Sequence, residues 1–174
     1  EFPTAPDPDK TVTVTNNPPT LSWTGETYYE SFGVHPAIGK DGESFTFKIN
    51  YSDVDGDAPT LKQVWIDANE NGSYESGEKH DMAAISGDHT TGMIYSYSTT
   101  LSYVTDGTVD YTFRFNDGTG DASDLAGPLS DNVVTVVNST NNPPMLDWVV
   151  EDCSTNGAKP VKGLATGDFT FRVK

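Results

Sequence analysis

Cysteine is nearly absent: Cys153 stands alone in 174 residues, which excludes an internal disulfide. A secreted chain of this kind must then draw its stability from packing and bound ions. Positive charge is also scarce, with 10 Lys and Arg against 26 Asp and Glu and a formal net charge of −16. Such a surface repels nucleic acid and anionic membranes and attracts divalent cations. No apolar run approaches the ~20 residues that cross a bilayer as a helix. The opening EFPTAPDPDK has no signal peptide, initiator methionine or tag, so the expectation is a mature segment or a window cut from something longer. There is no G-x-S-x-G elbow, Cys–His pair or phosphate-cradling glycine loop, and His35, His80 and His89 have no zinc-like spacing. Carboxylate pairs abound, but they sit in Gly-rich turns with no cleft implied. Catalysis is not expected.

What the chain does have is aromatic residues, at 11%, among abundant Gly, Pro, Thr, Ser, Asn and Asp. That profile fits a β-rich fold with many turns and is too aromatic and periodic for disorder. Phe45, Phe47, Ile49 and Tyr51 alternate with Thr46, Lys48 and Asn50, and Val109, Tyr111, Phe113 and Phe115 alternate in the same way. QVWID, MIYSYSTTL and NVVTVV read as further strands, separated by turn clusters such as TDGT and NDGTGD. The stretch EKHDMAAISGD reads as a possible helical turn. About seven short strands without a convincing helix predict an all-β chain, an immunoglobulin-like or cadherin-like β-sandwich.

The chain also repeats itself. NNPPTLSW at 16–23 returns as NNPPMLDW at 141–148. Gly33, Pro36, Gly39, Phe45 and Phe47 recur as Gly157, Pro160, Gly163, Phe169 and Phe171. The expected organisation is one full repeat with partial repeats at both ends. Residues 1–17 would hold the last strand of a preceding repeat and a linker, 18–139 the complete sandwich, and 140–174 a linker and the first strands of the next. Paired prolines make each NNPP junction extended and stiff.

Three acidic clusters carry the chemistry. From Asp67 to Glu78 the sequence reads D-x-N-x-N-G-x-x-x-x-G-E. Asp67, Asn69, Asn71, the Ser73 carbonyl, Glu75 and Glu78 then occupy the ligand positions of an EF-hand-type calcium loop, with Gly72 at its sharp turn. Calcium takes six to eight oxygens, and one short segment supplies them. The competing reading is a solvated, metal-free acidic hairpin. In the second cluster, Asp53, Asp55 and Asp57 crowd into DVDGDAP. At about 6 Å and an effective dielectric near 20, each like-charged pair costs on the order of 3 kcal/mol, which a cation would remove. The alternative is an Asx-type turn. The third, NDGTGDASD, places Asn116, Asp117, Asp121 and Asp124 after a strand, where a plain turn needs the same residue types. If the 45–51 and 109–115 strands are the B and F strands of a sandwich, the second and third clusters share one pole and the 67–78 loop lies at the other.

The 67–78 loop is similar to the calcium loops of dockerins and of many bacterial surface proteins. The acidic loops and NNPP linkers together resemble cadherins and the calcium-binding tandem repeats of bacterial and archaeal adhesins, surface-layer and filament proteins, although the cadherin linker signatures are missing. That resemblance implies an extracellular, cell-surface or filament location, Ca²⁺ as the bound ion, and a rod whose joints stiffen on binding it. Partners would be neighbouring repeats or copies of the chain itself, with a surface glycan or protein as a further target.

Two rival readings remain open. One is a filament subunit assembling by β-strand donation; the other is a carbohydrate-binding module, which predicts an exposed, coplanar aromatic face including Trp23, Trp65 and Tyr28. Trp23 and Trp148 read better as core or junction anchors, and ETYYESFGVHP as a contact between repeats or subunits. Of the sequons at Asn50, Asn71 and Asn138, only Asn138 is a plausible glycan site.

Overall fold

The structure, a computed structural model, describes residues 15–124, 129–138, 158–159 and 170–171. The chain divides into two compact units, Glu1–Asn138 and Ser139–Lys174. The strand foreseen before residue 15, the second NNPP segment and Trp148 lie outside the described residues.

In the first unit, alternation decides the long strands. β4 (Ser44–Ser52) buries Phe45, Phe47, Ile49 and Tyr51 completely and leaves the residues between them partly exposed. β9 (Thr108–Asn116) likewise buries Val109, Tyr111, Phe113 and Phe115, and Thr112 between them is buried as well. Around β4 lie β1 (Thr20–Ser22), β2 (Val34–His35), β7 (Ala83–Asp88), β8 (Gly92–Thr100) and β10 (Ser123–Asp124), in the order β10-β1-β4-β8-β7 with β2 also on β4. Around β9 lie β3 (Ile38–Lys40), β5 (Leu61–Asp67), β6 (Lys79–Asp81) and β11 (Asn132–Val137), in the order β3-β11-β9-β5-β6. Two sheets therefore face each other across one core, an all-β arrangement consistent with a β-sandwich. Aromatic edges interlock between them, with Phe47 on Tyr111 at 5.1 Å and Tyr95 on Phe115 at 5.2 Å between ring centroids. Burying each such side chain contributes about 1.5–3 kcal/mol.

Gly33 shows why its position tolerates nothing larger. Its φ is +64°, and a Cβ there would lie 2.7 Å from the Lys48 carbonyl and 2.9 Å from the Trp23 ring. Trp23 is thereby pressed inward, edge-on to Phe113 at 6.3 Å.

The possible helical turn in EKHDMAAISGD is not where the sequence put it. Lys79–Asp81 and Ala83–Asp88 are strands, and the one helical turn among the described residues, a 3-10 turn at Ser76–Glu78, precedes them. The wholly exposed β7 carries no alternation that could have announced a strand.

Register fixes the two ends. In the antiparallel β5–β9 pair, Leu61 lies opposite Asn116 and Asp67 opposite Asp110. The connections after β4 and after β9 thus share one end, and the 67–78 loop leaves from the other.

In the second unit, β12 (Ala158–Lys159) pairs antiparallel with β13 (Thr170–Phe171), matching Ala158 to Phe171 and Lys159 to Thr170. Within the sequence repeat these residues correspond to Val34, Phe47, His35 and Thr46. Val34 pairs with Phe47 and His35 with Thr46 in the first unit, so the register is the same.

Candidate metal centre

The 67–78 loop begins where β5 ends and closes on the Ser76–Glu78 turn. Its two outer carboxylates are buried, Asp67 at 3% exposure and Glu78 at 8%. The backbone is wound around them. Asp67 accepts the N–H of Asn71 at 3.2 Å and of Gly72 at 2.8 Å. Glu78 accepts the N–H of Ala68 at 2.9 Å and of Glu75 at 3.1 Å. Asn69 and Asn71 form successive Asx turns, accepting the N–H of Asn71 at 3.1 Å and of Ser73 at 2.8 Å. Two residues sit in the left-handed region, Gly72 at φ +76° and Glu70 at +57°. The second is costly for a residue with a Cβ and marks how sharply this loop turns.

The remaining side chains of the loop engage one another. Glu75 takes the side-chain amide of Asn69 at 3.3 Å and that of Asn71 as well. Among the described residues no three Asp, Glu, His or Cys side chains converge as a ready ligand set. For the loop to bind an ion, Asn69, Asn71 and Glu75 must release one another and turn their oxygens inward. The backbone fits that role as it stands, because its N–H groups already orient Asp67 and Glu78. Burial pushes the Glu78 carboxyl above its ordinary range, with the neighbouring Glu75 adding to the shift. A cation would reverse that tendency.

Residues not anticipated from the sequence surround this end. A recess of about 170 Å³ is lined by Asp67, Glu70, Gly72, Asp106, Thr108 and Asp110. Burial raises the Asp110 carboxyl, and the charges of Asp131, Asp67 and Asp106 raise it further. The Tyr74 hydroxyl donates to Asp131 at 2.9 Å, tying the loop to the approach of β11. β9 supplies Asp110 and the turn before it Asp106, about thirty residues beyond the end of the loop, so no local motif betrays them.

The other two clusters do meet, in part. Asp53 is 1% exposed and Asp117 9%, and both belong to the end where β4 and β9 terminate. Burial raises the Tyr51 hydroxyl above its ordinary value, and the charges of Asp53 and Asp117 add to the shift. Asp55 is exposed and held by Asn17, whose N–H and side-chain amide reach it at 2.6 and 3.0 Å. Asp57 contributes backbone, its carbonyl accepting the Tyr51 hydroxyl at 2.9 Å. Asp121 is exposed and paired with the Asn116 amide at 2.8 Å. The Asp124 side chain lies outside the described residues. Asn16 and Asn17, read from the sequence only as junction residues, prove to touch both acidic loops.

Comparison with protein-family models and with curated proteins returns no match for this chain.

Proposed function

We propose that this chain is a non-catalytic, calcium-stabilised β-sandwich module of an extracellular tandem-repeat protein, structural or adhesive in role. One observation carries the reading: Asp67 and Glu78 are buried at the two ends of a twelve-residue loop whose N–H groups already grip them. Calcium is the cation that such an all-oxygen loop suits. The strand orders β1-β4-β8-β7 and β6-β5-β9-β11 support an immunoglobulin-like assignment. The common register of β2–β4 and β12–β13 supports a second, similar module after Asn138.

The carbohydrate-binding alternative has less behind it. Trp23 packs against core Phe113, and the Trp65 ring is covered by Lys79 at 4.2 Å and Arg114 at 5.4 Å. Tyr28 is exposed in a turn and stacks at 4.5 Å on His35, whose strand belongs to the sheet that does not contain Trp65. Strand donation keeps a possible acceptor in β7, an exposed edge strand.

Thermal unfolding in millimolar calcium against the same buffer with excess chelator tests the proposal. Saturation at about 100 times the dissociation constant adds roughly 2.7 kcal/mol per site. For a chain of this size the melting temperature then rises by about 5–10 °C. Superimposable curves would defeat the reading.

A further inference from the structure

Two buried carboxylate oxygens have no hydrogen-bond partner among the described residues, Glu70 Oε1 in the 67–78 loop and Asp53 Oδ2 at the opposite end, and of the two residues Asp53 is the one buried as a whole. Asp53 Oδ1 accepts the N–H of Asp55 at 2.8 Å and of Asp57 at 3.3 Å, curling the loop around the carboxylate. Its Oδ2 is buried without a hydrogen-bond partner. Folding does not normally leave a carboxylate oxygen out of water and unpaired. No side-chain cation compensates, since among the described residues the one ion pair is Lys48–Glu26. His89 gives Asp53 only its backbone carbonyl, at 2.7 Å, and turns its ring to the Tyr95 hydroxyl.

Two further carboxylates, Asp117 and Asp55, belong to this end. Asp117 Oδ1 takes the N–H of Thr119 and of Gly120, each at 2.7 Å, leaving Oδ2 to the Asn16 amide at 2.7 Å. The same amide nitrogen reaches the Thr119 hydroxyl. Asn17 holds Asp55 from the opposite loop. Pro18 packs so close to Gly120 that a Cβ there would meet it at 3.3 Å. Residues 16–18 therefore lie across the two acidic loops, fastened to their carboxylates by two amides.

We infer that Asp53, Asp55 and Asp117, together with Asn16 and Asn17, form a second divalent-cation site, suited to calcium, which latches the segment before β1 onto the sandwich. The donors are all hard oxygens, three carboxylates and two amide carbonyls, which do not converge as a ready set and would have to turn towards one ion, with backbone carbonyls and water completing six to eight ligands. Asn16 and Asn17 now present nitrogen to the carboxylates, and a half-turn of each amide presents oxygen to an ion instead. The inference stands on Asp53 and owes nothing to the 67–78 loop.

Calorimetric titration of the full chain with calcium chloride tests it, using Glu78→Gln to disable the loop and Asp53→Asn to disable this site. The Asn side chain keeps an oxygen for the Asp55 and Asp57 N–H groups, so the turn is preserved. Glu78→Gln is expected to retain one binding event, and adding Asp53→Asn to weaken that event by about 10–100-fold. Asn16→Ala, which leaves the buried carboxylate in place, should weaken it less and supplies the same readout if Asp53→Asn does not fold. Retention by Asp53→Asn of every wild-type binding event overturns the site. So does a Glu78→Gln chain that binds nothing while the wild type binds one ion, a result that leaves the loop reading intact. Absence of binding in all chains overturns both.

Discussion

The two ends of the sandwich handle the same excess of negative charge differently. At the 67–78 end, a contiguous loop supplies its own N–H donors and both buried carboxylates are satisfied by backbone. At the Asp53 end, three separate pieces of chain converge and the buried carboxylate itself keeps an unpaired oxygen, whereas in the loop the unpaired buried oxygen is Glu70 Oε1, outside the two gripped carboxylates. The first is a loop that calcium would tighten. The second is a junction that calcium would complete. The lesson is that a matched motif and an uncompensated charge are independent signs of a cation, and only the first is visible along the sequence.

The largest separation between the ends should come from Glu78→Gln. It removes the buried carboxylate that closes the loop, so the loop's share of the calcium-dependent rise in melting temperature, about 5–10 °C, should disappear while the Asp53 end is untouched. Calorimetry with and without chelator reads this directly. Asp53→Asn should act in the opposite sense without calcium. By removing a buried charge whose Oδ2 has no partner it stabilises the metal-free chain by about 1–3 kcal/mol. A metal-free Asp53→Asn chain that melts below the wild type would erase the distinction drawn between the two ends.

Tyr74→Phe is a smaller change confined to one end. It deletes the hydroxyl that donates to Asp131 and should cost about 1 kcal/mol in urea unfolding, with no change in binding at the Asp53 end. The smallest contrast is in pH dependence under chelator. Backbone N–H groups hold the Asp117 carboxyl down at about 2, so its contribution is present above its ordinary value of 3.8 and is lost as pH falls from there towards 2. Glu78 is shifted upward from 4.5, so its contribution is present at lower pH and is lost as pH rises through the raised value. Melting curves of Asp117→Asn and Glu78→Gln against pH should flatten these opposite slopes one at a time.

Much of the scaffold was legible because β-structure writes itself with period two. Phe45 to Tyr51 and Val109 to Phe115 each declare one buried face, and both strands lie where the alternation put them. The short strands were not legible. Val34–His35 and Ser123–Asp124 are two residues long, too short for any period, and exist because β4 and β1 offer free backbone beside them. Trp65 was legible as part of the QVWID strand, but its place on the outer side of the sheet under Lys79 and Arg114 was not, an environment made by two other strands. Among the acidic residues, Asp67 and Glu78 were expected from spacing, whereas Asp106, Asp110 and Asp131 reach the same end only through sheet pairing.

The sequence alone determined the strand faces, the excess of carboxylate over cation and the twelve-residue loop, since each depends on residues close together along the chain. Which carboxylates share a pole, which become buried, and that Asn16 and Asn17 meet Asp117 and Asp55 were decided only by tertiary structure. The physical reason is that a charge's energy is set by whatever surrounds it in space, and packing two sheets together brings residues a hundred positions apart within a hydrogen bond of each other.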